Sequence, residues 1–330
     1  MTGPHPAVAA VRSAVRDNLA GVVPQPISVA FSGGPDSTAL LAAACFERPG
    51  QITALVADQH WHSGSAAAAR RAADRATALG AAAEVLDAPS DRSEAAARDA
   101  RYAALAAGAD RHGCAVVLLG HTRDDQAETV LLGLARGSGA RSLAGMPAVR
   151  GIYRRPLLGL PRSVVRRSCL ELGLEFDEDP ANRDPAFARI RLRHEALPAL
   201  QNALGRDLTA NLARTARLLR DDADLLDEWA AISVDEVTGV DGSLDVAGLA
   251  ALPPALRRRV LRRWAPGSNA VQVDALDALV ARWRGQGVVS LPGGRAARRV
   301  SGRIELVPGT PNPRSMSGGA DLGVATEEPG

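Results

Sequence analysis

The chain has 330 residues, enough for one large domain and a smaller one, and 46% of its residues are hydrophobic while only 3% are aromatic. All 39 basic residues are arginine, which excludes a Walker-type lysine, a Schiff-base lysine and a lysine general base. The net charge of +2 is too small to indicate a nucleic-acid partner. Residues 141–305, however, carry 26 arginines against 20 acidic residues, which is a mild sign of an anionic partner there.

Hydrophobic periodicity predicts a helix over residues 8–20, followed by an alternation of strands and helices. Apolar runs predict four short strands, at 27–31, 52–57, 83–86 and 115–119. Each of them is followed by a helical pattern, over 36–46, 64–80, 91–112 and 124–135. Continuously apolar strands separated by helices are typical of a sheet covered on both faces. The expected fold class is therefore α/β, with a doubly wound parallel sheet.

The pattern changes after residue 139. Next come a last predicted strand at 152–158, a helix at 162–172, a polar loop at 177–184 and helical periodicity throughout 191–230. Helices at 253–264 and 270–284 and a β-hairpin at 288–307 then predict a second, smaller, mainly helical domain. We place the domains at 1–205 and 206–308 and predict a disordered tail at 309–330, which is rich in Gly, Pro and Ser.

Cysteine usage and hydropathy indicate the compartment. Cys45, Cys114 and Cys169 lie far apart and form no C-x-x-C pair, which is typical of a reduced protein without a disulfide or metal framework. No apolar run is long enough to span a membrane, and the N-terminus lacks the pattern of a secretory signal. We expect a cytoplasmic protein that has no membrane partner.

The first predicted strand leads into the sequence Ser32-Gly33-Gly34-Pro35-Asp36-Ser37-Thr38, which opens a helix. This order places free backbone N–H groups and the positive end of a helix dipole at the carboxyl edge of the sheet, where pyrophosphate can bind. The glycines permit close approach of the backbone to phosphate oxygens. A carboxylate at Asp36 repels phosphates unless a divalent cation lies between them, so Asp36 indicates Mg²⁺. An ordinary βα turn can contain a glycine and a cap, but seldom the whole string.

This string differs from the Walker loop and from G-x-G-x-x-G, and it resembles the PP-loop of the N-type ATP pyrophosphatases. The resemblance implies an adenine nucleotide alpha hydrolase-like fold and an enzyme that splits ATP between its α and β phosphates. Such enzymes adenylate a carbonyl-type oxygen so that a nucleophile can displace AMP. Residues 32–38 would bind the nucleotide.

A second motif, Gly120-His121-Thr122-Arg123-Asp124-Asp125-Gln126-Ala127-Glu128-Thr129, follows the fourth predicted strand. Asp125 and Glu128 are three residues apart, so they share one face near the N-terminus of a helix. Acids placed there could bind a metal or an ammonium group. Capping and complementarity to the helix dipole would explain them without any ligand.

With Arg155-Pro156-Leu157-Leu158 and the segment 178–198, this second motif resembles tRNA(Ile)-lysidine synthase over about residues 25–200. Two features depart from that family: Ile190 stands where Asn is usual, and its histidine-rich segment is present only loosely, as His60 and His62. Relative to long members, a third C-terminal domain is expected to be missing. Within the segment 178–198, every second residue from 189 to 193 is an arginine: Arg189, Arg191 and Arg193. Guanidinium groups pair well with phosphate, so these residues could bind one. A basic face exposed to solvent would have the same pattern.

The resemblance implies ATP-dependent ligation of L-lysine to C2 of the wobble cytidine in the CAU anticodon of tRNA(Ile), through an adenylated cytidine, with release of pyrophosphate and AMP. The catalytic candidates are Asp36, Asp125, Glu128, Arg189 and Arg193. The candidates for nucleotide binding are Ser32, Gly33, Gly34, Pro35, Asp36, Ser37, Thr38 and His121, and Asp36 is the candidate ligand for Mg²⁺. Asp125 and Glu128 are expected to hold the lysine amine, because an ammonium nucleophile needs a nearby carboxylate or phosphate to take its proton. Residues 141–305 would form the tRNA platform, and a homodimer is one expected assembly.

Three other functions compete with this hypothesis. A PP-loop tRNA 2-thiolase would generally need catalytic cysteines or C-x-x-C, and the three cysteines lie outside the motifs. A small-molecule amidotransferase or ligase would share the first motif but not the second. A non-catalytic RNA-binding protein that senses nucleotide would not need Asp36, Asp125 and Glu128 together.

Overall fold

A computed structural model of the chain describes residues 3–23, 25–60, 64–89, 94–178 and 186–309. The chain forms two compact units, Met1–Arg220 and Asp221–Gly330. The predicted boundary at residue 205 falls at a break between two helices, whereas the division between the units lies inside the next helix. The boundary at 205 therefore stays a prediction. His62 and the predicted tail from 310 onward lie outside the described residues.

The first unit contains a six-stranded sheet with the order β3-β2-β1-β4-β6-β5. Its strands are β1 (Ile27–Ala30), β2 (Ile52–Asp58), β3 (Ala82–Asp87), β4 (Val116–Leu118), β5 (Val149–Arg150) and β6 (Tyr153–Arg154). All neighbouring strands are parallel except β5, which runs antiparallel to β6. The predicted doubly wound parallel sheet is confirmed.

Helices cover both faces of this sheet because the buried side chains of each strand alternate between two cores. On β2, Ala54 and Val56 pack into one core, whereas Leu55 packs into the other. Strand β4 divides in the same way, with Leu118 on the first face and Val117 on the second. Continuously apolar strands are the result, as expected for a sheet without a solvent face.

The helices of the first unit precede, separate and follow the strands. They are α1 (Pro6–Leu19), α2 (Pro35–Glu47), α3 (Ser65–Ala78), α4 (Glu94–Arg111), α5 (Arg123–Ala135), α6 (Ala140–Leu143), α7 (Arg162–Glu171), α8 (Ala188–Arg191) and α9 (Leu197–Leu204). A π-helical turn, Leu192–Ala196, joins α8 to α9. The long helix α10 (Leu208–Val237) follows. No helix in the described part of the chain is both long and apolar enough to cross a membrane.

The described part of the second unit contains the end of α10, three further helices and a four-stranded sheet with the order β7-β10-β9-β8. Its elements are β7 (Leu244–Asp245), α11 (Val246–Ala251), α12 (Pro254–Trp264), α13 (Ala270–Ala281), β8 (Val289–Leu291), β9 (Arg295–Val300) and β10 (Arg303–Pro308). All four strands pair antiparallel. Its core lies between these helices and one face of the sheet, and includes Leu249, Leu261, Leu276 and Ile304.

Three predicted elements are wrong in detail. The last strand, predicted at 152–158, is reduced to β6, because Pro156 cannot donate a ladder hydrogen bond and begins a 3-10 helix, Pro156–Gly159. The helical stretch 191–230 is interrupted after α9, where Gly205 adopts a φ of 60°. The hairpin at 288–307 is instead a three-stranded meander, because Ser301 and Gly302 both have positive φ and form a second turn.

Candidate active site

The loop between β1 and α2 lies at the carboxyl edge of the parallel sheet, as the sequence predicts. Its hydroxyl groups stabilise the loop itself: Ser32 Oγ and Ser37 Oγ lie 3.1 Å apart, and Ser37 Oγ donates to the carbonyl oxygen of Gly34 at 3.0 Å. Gly34 is the N-cap of α2 and supplies no side-chain cap. Pro35 at the first helical position has no N–H, and the N–H groups of Asp36 and Ser37 follow it in the first turn of a 13-residue helix that has no side-chain cap, which suits an anion.

Two glycines bring this loop close to its neighbours. Gly33 has a φ of 79°, and a Cβ there would lie 2.5 Å from Arg75 Nη2. Gly120, directly after β4, packs against the first turn of α2, since a Cβ there would lie 3.2 Å from the backbone nitrogen of Ser37. Gly120 thereby places the second motif beside the first.

Sequence reasoning missed an ion pair that covers the outer side of the loop. Arg75 on α3 donates two hydrogen bonds to the carboxylate of Asp177, and Nη1 lies 2.8 Å from Oδ1. The backbone nitrogen of Asp177 donates to the carbonyl oxygen of Gly33 at 2.9 Å. Hydrogen bonding to Arg75 lowers the pKa of Asp177. The hydrogen bonds of Asp177 therefore connect α3 and the segment after α7 to the nucleotide loop.

The two motifs meet in a cluster of three acids, Asp36, Asp125 and Glu128, which we call the acid trio. Asp36 lies in the first turn of α2, and the other two lie in the first two turns of α5. The Glu128 side chain is completely buried, and those of Asp125 and Asp36 are 11% and 23% exposed. Unpaired carboxylates at this depth would be costly, so the trio needs counter-ions.

Three arginines compensate the acid trio. Arg162, at the start of α7, contacts all three acids: its Nη2 lies 2.7 Å from Asp125 Oδ1, its Nη1 3.4 Å from Glu128 Oε1, and its Nε 3.5 Å from Asp36 Oδ2. Arg193 grips Glu128 with two nitrogens, at 2.8 and 3.1 Å. Arg189 lies at the margin, with its Nε 4.0 Å from Glu128 Oε2. Three acids and three arginines balance in formal charge.

Arg162 was missed by sequence reasoning, although the sequence contains a signal for it. It occupies the first position of the predicted helix 162–172, where the helix dipole disfavours a cation. A cation at that position indicates a nearby acid. The structure shows a second anchor, because the backbone nitrogen of Arg162 donates to Asp124 Oδ2 at 2.8 Å.

Every acceptor position of Asp125 is in use. Its Oδ2 accepts from the backbone nitrogen and the hydroxyl of Thr122, at 2.7 and 2.9 Å, which forms a capping box for α5. Its Oδ1 accepts from Arg162 at 2.7 Å and from Arg193 at 3.3 Å. A carboxylate offers about four such positions. The capping explanation of this motif is therefore correct for one oxygen, while the other oxygen faces the arginines.

The pKa values of the acids shift in opposite directions. Burial raises the pKa of Asp36 to about 6, although Arg162 opposes the shift. Burial also acts to raise the pKa of Asp125, but Arg162, His121 and the Thr122 backbone outweigh it, so the net shift is downward. Asp125 is consequently ionised at neutral pH, whereas Asp36 takes up a proton at a higher pH than an ordinary aspartate does.

His121 lies at the end of β4, and its Nδ1 is buried without a hydrogen-bond partner among the described residues. Burial lowers its pKa to about 4, and Arg155, Arg98 and Arg101 act in the same direction. The imidazole is thus neutral at physiological pH. Its role in nucleotide binding stays a prediction.

The surroundings of Asp36 decide whether the predicted Mg²⁺ site fits the residues present. Among the described residues, no group of three or more His, Cys, Asp or Glu side chains could hold a metal ion. Mg²⁺ in nucleotide enzymes is usually bound by only one or two carboxylates together with phosphates, so a complete protein cage is not required. Asp36 Oδ1 is buried without a hydrogen-bond partner in the part of the chain described, which fits a cation ligand.

The structure brings most of the predicted residues together. Asp36, Asp125, Glu128 and Arg193 share one cluster, Arg189 borders it, and residues 32–38 form the adjoining loop. Ile190, the departure from the family pattern, is buried at 9% exposure and has an apolar role. His60 lies apart from the cluster, and its Nε2 is 2.5 Å from Asp87 Oδ1. The catalytic roles of Asp36, Asp125, Glu128, Arg189 and Arg193 remain proposals.

The comparisons with known proteins agree with both motifs. A family described as the PP-loop domain matches residues 9–200, and the TilS substrate binding domain matches residues 244–305. The tRNA(Ile)-lysidine synthase of Streptomyces coelicolor is 47% identical over 92% of this chain and 99% of its own length. That of Thermobifida fusca is 49% identical over 92% of this chain and 98% of its own.

Among solved structures, the U34-tRNA thiolase of Methanococcus maripaludis is similar, with a TM-score of 0.54 and 15% identity, over 65% of this chain and 80% of that one. At this identity the similarity concerns the fold alone. The sequence relatives go further, because their identity extends through the PP-loop unit and into the second unit. The resemblance inferred from the motifs is confirmed, and the chain belongs to the tRNA(Ile)-lysidine synthase family.

Proposed function

We propose that the protein ligates L-lysine to C2 of the wobble cytidine in the CAU anticodon of tRNA(Ile), with ATP as the activating substrate. The observation that carries this proposal is the contact of one guanidinium, Arg162, with both the acid of the nucleotide loop, Asp36, and the acids of the second motif, Asp125 and Glu128. A phosphate seat and an acceptor for an ammonium group are therefore adjacent, as a reaction between an adenylate and an amine requires.

In the first step, the C2 carbonyl oxygen of the cytidine attacks the α-phosphate of ATP, and the bond to the leaving pyrophosphate breaks. Charge then develops on phosphate oxygens. The N–H groups at the start of α2 and the guanidinium groups of Arg189 and Arg193, at the border of the acid trio, would stabilise it. Mg²⁺ bound to Asp36 would neutralise further phosphate charge.

In the second step, the ε-amine of lysine attacks C2, the C2–O bond breaks, and AMP leaves with the former carbonyl oxygen. Lysine arrives as an ammonium ion and must lose a proton before it can attack. Asp125 and Glu128 would bind that ammonium and orient it, and a neighbouring carboxylate or phosphate oxygen would accept its proton. Asp125 suits the binding of the ammonium because its lowered pKa keeps it ionised.

The RNA surface is proposed in the second unit. Helix α12 carries five arginines in 11 residues, of which Arg258, Arg262 and Arg263 are exposed. Arg257 is instead buried, with its Nε 2.7 Å from Asp277 Oδ1, and so stabilises the unit. Exposed arginines of this kind contact the phosphate backbone.

The surroundings of the cysteines favour lysine ligation over a thiolase reaction. Burial raises the pKa of both Cys45 and Cys169 to about 11, which disfavours the nucleophilic thiolate. Cys114, the third, lies just before β4.

The test is incorporation of labelled L-lysine into a tRNA(Ile) transcript with a CAU anticodon, in the presence of ATP and Mg²⁺. Wild-type protein should incorporate lysine, Asp36→Asn should lose the activity, and Asp110→Asn, an exposed matched control, should retain it. A transcript with a different wobble base should not react. Absence of lysine incorporation by the wild-type protein would refute the proposal.

A further inference from the structure

Arg162 presents an obstacle to lysine binding, and the obstacle suggests its role. This role depends on the proposed function, in which Asp125 and Glu128 bind the lysine ammonium. All four acceptor positions of Asp125 are occupied, and Glu128 is completely buried under arginines. An ammonium group can therefore reach these acids only if one of their present donors leaves.

The contacts differ in how firmly each donor is held. Thr122 is part of the same helix start as Asp125 and cannot leave without unwinding the cap. Arg193 holds Glu128 with two short hydrogen bonds, at 2.8 and 3.1 Å. Arg162 makes one short contact, 2.7 Å to Asp125, while its contacts with Glu128 and Asp36 are 3.4 and 3.5 Å.

Arg162 occupies the position that an ammonium group between these two acids would need, because its Nη2 lies 2.7 Å from Asp125 Oδ1 and 3.4 Å from Glu128 Oε1. Its side chain projects from the first position of α7, where the helix dipole opposes a positive charge, and it is 22% exposed. The guanidinium already faces Asp36 on the nucleotide loop, so the phosphates of bound ATP would offer it a stronger, bidentate partner nearby. Movement of Arg162 toward those phosphates would free one oxygen of Asp125 and would release Glu128 Oε1 from one of its two arginine donors.

We propose that Arg162 is an exchangeable counter-ion that occupies the ammonium site of Asp125 and Glu128 until lysine displaces it. It is a positioning residue, because it holds the acids in place and sets the affinity for the amine without taking part in bond making. Arg162 thereby keeps the site neutral before lysine binds. As a consequence, lysine must compete with Arg162 for the two acids.

The competition predicts an unusual effect of mutation. Arg162→Gln removes the competing cation, so the KM for lysine should fall by about fivefold, the order expected for one charge-assisted hydrogen bond in a partly exposed site, while kcat decreases. A residue with a purely structural role would leave the KM unchanged or raise it. Arg167→Gln is the matched control, because Arg167 lies on the same helix and pairs with Glu171 on the exposed side.

The experiment measures lysine KM and kcat for both variants under saturating ATP and tRNA, together with their thermal unfolding. If Arg162→Gln is not folded, Arg162→Lys takes its place; its single-point ammonium competes less well, and its KM should lie between those of Arg162→Gln and wild type. An unchanged or higher KM in the folded variant, with active wild-type protein, overturns the role of Arg162 alone. A wild-type protein that incorporates no lysine overturns it together with the proposed function.

Discussion

Asp36 and Asp125 are both buried carboxylates that contact Arg162, yet their pKa values shift in opposite directions. Burial dominates at Asp36, whereas at Asp125 the charges of Arg162 and His121 and the hydrogen bond from the Thr122 backbone outweigh burial. Asp125 accepts two hydrogen bonds from Thr122 and two from arginines, whereas Asp36 Oδ1 has no partner among the described residues. At the scale of single residues, the ionised form of Asp125 is already stabilised by its neighbours, which suits the binding of an ammonium group. The ionised form of Asp36 would be stabilised further by a bound cation.

Glu128 is expected to be essential for lysine transfer. Glu128→Gln keeps the shape of the side chain but removes the charge that pairs with Arg193 and would bind the ammonium, so lysine incorporation should fall about a hundredfold or more. Glu195→Gln, on an exposed residue of the following π-helical turn, is the control and should retain full activity. Near-normal activity of Glu128→Gln in the labelled-lysine assay would remove Glu128 from the site.

His121 predicts a pH dependence of stability. Its pKa is about 4 in the folded protein and 6.5 ordinarily, so between these values the unfolded chain binds the proton more strongly. Its contribution is complete above about pH 7 and is lost as the pH falls toward 4; between pH 7 and pH 5 the free energy of unfolding should drop by about 2 kcal/mol. Denaturant unfolding at the two pH values should show a smaller drop for His121→Asn than for wild type. An equal drop would contradict the burial of a neutral imidazole, and His194→Asn, at an exposed position, controls for the loss of a histidine.

The sequence predicts residues whose chemistry is local and misses those whose partners are distant. Asp36, Asp125 and Glu128 belong to contiguous motifs at strand ends, and the parallel sheet necessarily brings those ends together. Arg162 and Arg75 find their acids across 37 and 102 positions of sequence, respectively. Only the unfavourable dipole position of Arg162 gives a local sign of such a partner.

At the scale of elements, the site depends on the contact between the end of β4 and the first turn of α2. Gly120→Ala would place a Cβ 3.2 Å from backbone atoms of Asp36 and Ser37 and push α2 away from the second motif. We expect a higher KM for ATP and a loss of about 1–3 kcal/mol in stability. Pyrophosphate exchange and thermal unfolding would measure both. At Gly159 an added Cβ meets nothing within 4 Å, so Gly159→Ala should have little effect; equal effects of the two substitutions would contradict this contact.

The predicted elements that fail do so for identifiable reasons. Strands β1, β2 and β4 are central and buried, so their apolar runs are clear in the sequence. Strand β6 contains only Tyr153 and Arg154, because Pro156 ends the pairing that an apolar run to residue 158 had suggested. The turn at Ser301 and Gly302 divides residues 288–307 a second time. The Pro292-Gly293-Gly294 turn is the more conspicuous signal in the sequence, so the sequence pattern predicts a single hairpin.

At the scale of the whole molecule, we expect the second unit to contribute to tRNA binding without affecting ATP binding by the first unit. Substituting both Arg262 and Arg263 by Gln should weaken tRNA binding about tenfold and reduce its salt dependence by about two phosphate contacts, while ATP binding is unchanged. Arg16→Gln with Arg111→Gln removes the same charge from exposed ion pairs of the first unit and is the control. Filter binding over a range of salt concentrations makes the comparison. Equal losses in the two double variants would show that only net charge matters.

The central claim is that ATP activates the C2 oxygen of the cytidine, at a loop that adjoins an ammonium site. The most direct test uses a tRNA(Ile) transcript whose wobble cytidine carries a heavy oxygen isotope at C2, incubated with protein, ATP, Mg²⁺ and L-lysine. The adenylated intermediate requires that this oxygen leave with the nucleotide, so mass spectrometry should find the heavy isotope in AMP and lysine in its place on the base. Unlabelled AMP formed together with the lysine-modified base would contradict the mechanism.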